Sequence, residues 1–275
     1  MIFYVFIIVS VVILAHKFYG LDGLLVKWRS KRALHIHYKE PIEKYNRFYQ
    51  KLPDKSKVIF EQKVNYFLLT KEFIPRNIDE VTDEMKALIS ATAVQLTFGL
   101  PDITLKHFDK ILIYPNDYYS TINRQYHKGE VNPRYKSIVL SWQHFVEGFA
   151  NPTDGMNLGL HEMAHALKLE NLIQNEEYAF FDRAELEKWQ ALAKAEMSKI
   201  KNARLPDGQG GETIYRQYAS VNEDEFFAVS IELYFEQPHK LFDYSPELYK
   251  TLSNLLRQDI KRLFDKSPSV KSSIL

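Results

Sequence analysis

His161-Glu162-Met163-Ala164-His165 places two histidines four residues apart, with a glutamate directly after the first. On a helix, residues four apart lie on one face, so both imidazoles can bind a single metal ion. The pattern predicts that His161 and His165 are zinc ligands and that Glu162 is the base that deprotonates a metal-bound water. Because HExxH also occurs by chance, the prediction requires a helix, a third ligand and a strand that can bind substrate.

The sequence on both sides of the motif predicts the required helix. A cluster of turn-forming residues occupies positions 151–155, and Asp154 or Thr153 can cap a helix that follows it. Apolar residues then recur at helical spacing from Met156 to Leu167. The two histidines lie next to this apolar stripe, so we expect the helix to be half buried.

A catalytic zinc site takes three protein ligands and leaves one position for water, so a third ligand must come from elsewhere in the chain. The absence of cysteine excludes a thiolate ligand, and the remaining histidines show no ligand-like context near the motif. A carboxylate is therefore expected as the third ligand.

The segment 218–235 is the best source of that carboxylate. Asn222 can cap a new helix whose first turn contains Glu223, Asp224 and Glu225. The first two acids suit the helix dipole, as in many capped helices. Glu225 has two interpretations: it is the reciprocal partner of a capping box with Asn222, or it is a carboxylate at the start of the buried face, where it needs a partner.

The motif HEMAH, together with Tyr218-x6-Glu225-Phe226-Phe227-Ala228, resembles the Mlc titration factor A family of zinc peptidases. The second segment is also similar to the catalytic domain of anthrax lethal factor. The resemblance spans about residues 60 to 260 and implies a zincin-like metallopeptidase domain with one zinc ion per chain. It also implies that Glu225 is the third zinc ligand and that Tyr218 points at the metal, where its hydroxyl can stabilise the oxyanion.

Two extended stretches are predicted as strands, at residues 110–114 and 137–142. The peptidases that this chain resembles bind an extended peptide along a sheet edge beside the metal, through main-chain hydrogen bonds. Two interpretations of residues 137–142 remain open: this substrate-binding edge, or an ordinary core strand.

The rest of the chain predicts a fold of the α+β class that is mostly helical with a small sheet. Helices are expected at about 42–52, 55–70, 82–96 and 183–200, and Thr82 can cap the third of them. With 45% hydrophobic residues, 26% charged residues and a formal net charge of +1, the composition fits one enzyme domain and argues against a nucleic-acid binder. The absence of cysteine excludes a disulfide framework.

The amino terminus predicts a membrane anchor. Residues 2–15 are apolar except for Ser10, and as a helix they would cover about 21 Å of a hydrocarbon core of about 30 Å. A cleaved signal peptide or a buried core helix are the alternatives, but no basic residue precedes the apolar run, and Ile13 before Ala15 makes a poor cleavage site.

The charges that follow the apolar run predict its orientation. Between residues 17 and 40 lie six basic and two acidic side chains, which by the positive-inside rule keeps the enzyme domain in the cytoplasm. We therefore expect an anchor and interface segment at 1–26, a basic helical linker at 27–59 and the metallopeptidase domain at 60–275.

Two functions from different classes follow from these observations. The first is a zinc-dependent peptidase acting on a peptide or protein substrate. The second is a membrane-tethered regulatory protein that docks a partner such as a transcriptional repressor, as the name of the resembled family implies. The intact set of His161, Glu162, His165 and Glu225 favours catalysis.

Overall fold

The computed structural model describes residue 4 and residues 21–100, 102–120, 125–203 and 212–265. Within these residues the helices are α1 (Leu21–Ser30), α2 (Ile36–Tyr45), α3 (Arg47–Lys51), α4 (Asp54–Thr70), α5 (Asp83–Thr97), α6 (Trp142–Ala150), α7 (Leu158–Leu172), α8 (Arg183–Asn202), α9 (Glu223–Glu236), α10 (Pro238–Tyr244), α11 (Pro246–Leu256) and α12 (Ile260–Asp265). The strands are β1 (Glu72–Pro75), β2 (Lys110–Tyr114), β3 (Tyr118–Ser120), β4 (Gln125–His127), β5 (Gly129–Asn132) and β6 (Ser137–Ser141), and a 3₁₀ turn spans Gln217–Ser220. The expectation of a mostly helical fold with a small sheet is confirmed.

Helix α7 carries the HExxH motif, and it begins later than the turn residues predicted. Asn157 is its cap, and the Asn157 side chain accepts a hydrogen bond from the backbone N–H of Leu160 at 2.9 Å. The prediction of Asp154 or Thr153 as the cap was wrong. Asp154 instead accepts from the N–H of Met156 at 2.8 Å, which closes the turn before the helix.

Two other helix starts follow the predicted capping chemistry. Asn222 begins α9 by accepting from the backbone N–H groups of Asp224 and Glu225, both at 2.9 Å. Thr82 begins α5 in the same way, by accepting from the N–H of Met85 at 3.2 Å. Both predicted caps are confirmed.

The helix predicted at about 42–52 is divided into α2 and α3. The break lies at Asn46, because the Asn46 side chain accepts from the N–H of Tyr49 at 2.8 Å and so starts a new helix. Phe48 and Tyr49 of α3 are buried in the main core, and Phe48 makes an edge contact with Phe235 of α9. The segment 27–59 is therefore mostly helical, and its apolar side chains pack with those of the following domain.

The larger sheet has the strand order β1-β2-β6-β5. Strands β1, β2 and β6 run parallel, whereas β5 pairs antiparallel with β6. All five residues of β6 are buried, and the strand ends at Ser141, where Trp142 begins α6. The interpretation of residues 137–142 as the substrate-binding edge was therefore wrong, because β5 covers that side of β6. Strand β5 forms the edge of the sheet on that side.

Helix α7 contacts α9 as well as strands β5 and β6. Its apolar face, with Leu160, Met163 and Leu167, is buried in the core. The HExxH motif is consequently held between a second helix and the edge of the sheet.

No helix within the described part of the chain is both long and apolar enough to cross a membrane. The predicted anchor at residues 2–15 lies outside the described residues, apart from residue 4.

Candidate metal centre

The side chains of His161, His165 and Glu225 converge between α7 and α9. The Nε2 atoms of the two histidines lie 3.1 Å apart. Oε2 of Glu225 lies 3.1 Å from Nε2 of His161 and 3.6 Å from Nε2 of His165. Within the described part of the chain, these three side chains form the group of His and Glu ligands that could hold a metal ion.

The three ligand atoms fit a zinc ion. In a tetrahedral site with metal–ligand distances of about 2.0–2.1 Å, two ligand atoms lie about 3.3 Å apart, close to the separations seen here. Oε2 of Glu225 is buried and accepts no hydrogen bond within the described structure. Burial alone would raise the pKa of Glu225, but the two imidazoles hold it well below its usual range, so the carboxylate is ionised. An ionised, buried and unsatisfied carboxylate oxygen next to two imidazoles calls for a cation.

Glu232 of α9 lies behind His161 and orients its ring. Oε1 of Glu232 is 2.8 Å from Nδ1 of His161, which leaves Nε2 facing Glu225 and His165. Burial lowers the pKa of His161, but the carboxylates of Glu225 and Glu232 outweigh it and raise this pKa to about 10. The same negative charge that holds a proton on His161 favours a metal ion in its place, and the hydrogen bond at Nδ1 then makes Nε2 the ligand atom.

Glu162 lies between α7 and the edge strand β5. Its side chain is buried, and this burial is the main reason that its pKa is raised to about 7. Gly129, the first residue of β5, faces it so closely that a Cβ atom at position 129 would lie 2.4 Å from Oε1 of Glu162. The absence of a side chain at Gly129 is what lets the carboxylate approach the sheet edge.

Tyr218 lies on the 3₁₀ turn that precedes α9, with its ring centre 6.1 Å from that of His161. Burial, reinforced by the charge of Glu225, raises the pKa of its phenol to about 12. The hydroxyl therefore stays protonated at neutral pH and can donate a hydrogen bond. Tyr218 also lines, with His161 and Glu162, a cavity of about 480 Å³ that opens along residues 125–129.

Three acids in the first turn of α9 occupy different environments. Asp224 forms an ion pair with Lys168 of α7 at 2.5 Å. Glu223, two residues before Glu225, lies outside the group formed by the two histidines and Glu225. The Glu225 carboxylate lies against His161, as the family resemblance implied, and so has the partner that a carboxylate at the start of the buried face needs.

Sequence reasoning missed two further carboxylates, Glu232 and Glu236. They follow Glu225 by about two and three helical turns, so they share its side of α9. Glu236 accepts hydrogen bonds from the N–H of Gly155 and from Nδ2 of Asn157, and burial raises its pKa to about 7. Two acids inside an otherwise apolar helix were a signal that they have buried partners.

Sequence comparisons match the chain to known proteins over most of its length. The family model described as "Glucose-regulated metallo-peptidase M90" matches residues 25–257. The chain is 28% identical over 244 residues to the protein slr2042 of Synechocystis sp. (strain ATCC 27184 / PCC 6803 / Kazusa), covering 82% of this chain and 86% of that protein. It is 26% identical over 208 residues to Mlc titration factor A of Pectobacterium atrosepticum, covering 70% and 76% of the two chains. It is also 28% identical over 207 residues to Mlc titration factor A of Yersinia pestis, covering 70% and 74%. These matches confirm the resemblance to the Mlc titration factor A family.

Proposed function

The chain belongs to the glucose-regulated metallo-peptidase M90 family, and from this premise we propose that it is a zinc-dependent peptidase that hydrolyses peptide bonds. One observation supports the proposal most strongly: the ligand atoms of His161, His165 and Glu225 converge beside a buried carboxylate, Glu162. Three ligands and an adjacent base are the parts that metal-assisted hydrolysis requires.

Glu162 is the general base in this proposal. Zinc held by His161, His165 and Glu225 would polarise the scissile carbonyl and acidify a bound water. Glu162 takes the proton of the attacking water and passes it to the leaving amine. Because burial brings its pKa to about 7, the same carboxyl group can accept and donate a proton near neutral pH.

Tyr218 and strand β5 position the substrate and stabilise its transition state. The protonated phenol of Tyr218 donates a hydrogen bond to the oxyanion that develops on the carbonyl. Strand β5 is the edge of the sheet, and its free backbone groups bind an extended peptide in register beside Glu162. Gly129 allows the peptide and the base to approach each other.

The substitution Glu162→Gln tests the proposal, because it preserves shape and removes the proton acceptor. We expect peptide hydrolysis by the zinc-loaded protein to fall by on the order of 10²–10⁴-fold, the usual contribution of a general base. Zinc content should not change, since Glu162 is not a ligand. Glu187→Gln on the exposed face of α8 is the matched control and should keep full activity. A Glu162→Gln protein that hydrolyses peptides at the wild-type rate would refute the proposal.

The names of the relatives support a second candidate function, a regulatory protein that acts by docking a partner. Several relatives are called Mlc titration factor A, a regulatory name that does not mention hydrolysis. A docking protein would bind its partner equally well with and without the substitution Glu162→Gln, since no proton transfer is involved. If the zinc-loaded wild-type chain hydrolyses no member of a peptide library, docking becomes the preferred function.

We further propose that the chain is tethered to a membrane with its enzyme domain in the cytoplasm. The apolar run at 2–15 and the six basic side chains that follow support this location. Leu24, Leu25 and Trp28 of α1 are more than half exposed, as expected for a helix that continues from an anchor into the membrane interface. A reporter fused after Leu275 should remain cytoplasmic, and an exported reporter would contradict the orientation.

A further inference from the structure

Arg216 connects three parts of the candidate site. It lies two residues before Tyr218, at the start of the 3₁₀ turn that carries the tyrosine. Its Nη2 atom donates to Oε1 of Glu232 at 2.5 Å, and its Nη1 atom lies 3.3 Å from Oε2 of the same carboxylate. Nη1 also donates to the backbone carbonyl of Gly155 at 2.8 Å. One guanidinium thus bridges the Tyr218 turn, the helix that carries Glu232 and the turn that precedes α7.

Glu232 depends on this arginine for its charge balance. It is almost fully buried, at 1% exposure, and it also accepts hydrogen bonds from Nδ1 of His161 and from the N–H of Asn157. Among the described residues, Arg216 is the ion-pair partner of Glu232 that carries a permanent positive charge. The planar fork of an arginine is suited to such a contact, because it fixes the plane of the carboxylate as well as its position. The orientation of His161 therefore rests on Glu232, and that of Glu232 rests on Arg216.

The contact with Gly155 ties the same arginine to the start of the HExxH helix. Gly155 has a φ of 76°, in the left-handed region that favours glycine, and it lies in the turn that leads to the Asn157 cap of α7. Arg216 consequently holds the Tyr218 turn against the beginning of α7. A shift of this turn would move the phenol relative to His161, and small displacements of catalytic groups have large effects on rate.

We propose that Arg216 is a positioning residue that sets the Tyr218 hydroxyl and the His161 ring relative to each other. The inference rests on the proposed peptidase function for its catalytic part. The expected effect of Arg216 on zinc binding does not depend on hydrolysis, because Arg216 holds Glu232 and Glu232 orients His161, a candidate zinc ligand. Arg216 itself contacts neither the ligand atoms nor Glu162 through any hydrogen bond within the described structure.

The substitution Arg216→Met removes the fork and keeps much of the aliphatic stem. We expect kcat to fall by about 10–100-fold and zinc affinity, measured by competition with a chelator, to fall by about 10-fold, which are typical effects of residues that support a metal ligand. KM should change little, since Arg216 acts through groups that matter in the transition state. Arg216→Lys should recover only part of the loss, because an ammonium keeps the charge but cannot contact both Glu232 and Gly155 in the same way.

A double-mutant cycle with Tyr218→Phe separates positioning from a general loss of structure. In the Tyr218→Phe background no hydroxyl remains to be positioned, so Arg216→Met should lower kcat by only a few fold, as expected for coupled residues. Arg183→Met removes an arginine from an exposed ion pair and is the control that should leave every quantity unchanged.

Fully additive effects on kcat, or an Arg216→Lys protein with wild-type kcat and zinc affinity, would overturn the inference. If the wild-type chain binds zinc but hydrolyses no peptide, the proposed function fails by itself. In that case the zinc competition decides: a 10-fold weaker affinity in Arg216→Met supports the role of Arg216, and an unchanged affinity overturns it.

Discussion

The two ends of helix α7 both lie beside buried carboxylates, but these carboxylates have opposite surroundings. Near the start of the helix, Oε2 of Glu225 is buried and accepts no hydrogen bond of good geometry, and its polar neighbours are imidazole nitrogens at 3.1 and 3.6 Å. Near its end, Glu170 is fully buried and accepts from the backbone N–H of His107 with both of its oxygens, each at 3.1 Å. Glu177 just beyond the helix accepts from the N–H groups of Thr104 and Lys106, at 2.9 and 3.2 Å.

The difference distinguishes a carboxylate that holds a loop from one that can bind a metal ion. At the end of the helix, backbone donors satisfy the acids, and the loop at residues 104–107 is fixed as a result. At the start of the helix, the acids face imidazoles and a cavity, and one oxygen accepts no hydrogen bond of good geometry. Burial alone is therefore a poor guide to chemistry, whereas burial without a donor indicates a functional site.

The largest effect is expected from removing the unsatisfied carboxylate. Glu225→Ala should lose most of the bound zinc, because it deletes one of three ligands. Glu223→Ala is the matched control and should keep its zinc, since Glu223 lies two positions away on a different helix face. Elemental analysis of the two purified variants makes the comparison, and equal metal content in both would remove Glu225 from the ligand set.

A smaller effect is expected at Tyr218, which lies at the same end of the helix but is not one of the proposed metal ligands. Tyr218→Phe removes one hydrogen-bond donor and nearly preserves the packing of the ring. We expect kcat to fall by on the order of 10²-fold with little change in KM or zinc content, because the bond forms chiefly in the transition state. Steady-state kinetics on one peptide substrate would measure this, and an unchanged kcat would leave the oxyanion to the metal alone.

At the end of α7, where backbone donors satisfy the acids, a substitution should lower the stability of the protein and leave the rate of hydrolysis unchanged. Glu177→Gln places an amide N–H₂ among backbone donors, so we expect the free energy of unfolding to fall by about 1–3 kcal/mol while kcat and zinc content hold. Glu176→Gln is its neighbour and control: its pair with Lys106 is exposed to solvent, so the free energy of unfolding should hardly change. Denaturant unfolding measures both. A large loss of activity in Glu177→Gln, with stability unchanged, would contradict the division between the two ends.

The residues of the candidate site were more predictable from the sequence than the strand that forms the sheet edge beside them. HEMAH and the Asn222 cap are local patterns, and the structure brings Glu225 together with His161 and His165 as the family resemblance implied. Sequence patterns did not show in the same way that β5, and not β6, forms the sheet edge beside the site. Strand β5 has only four residues and begins with Gly129, which is too little pattern to predict a strand, although the turn at 133–136 joins it to β6 as a hairpin.

The supporting contacts were beyond sequence reasoning for a related reason. Arg216 and Glu232 lie on different elements, and nothing in their local sequence indicates that they meet at His161. The cap of α7 was misplaced because several residues between 151 and 157 have capping chemistry, and the tertiary contacts of Asn157 with Glu232 and Glu236 select one of them. Long-range hydrogen bonds decided both outcomes.

A zinc titration of the metal-free chain, with peptide hydrolysis as the readout, tests the proposed peptidase function most directly. We expect no hydrolysis without metal, a rise in rate as zinc is added, and a plateau at one zinc per chain. The same titration of Glu162→Gln should show one bound zinc and almost no hydrolysis. Hydrolysis that persists in the metal-free chain, or a wild-type chain that binds one zinc and remains inactive on a diverse peptide library, would contradict the proposed function.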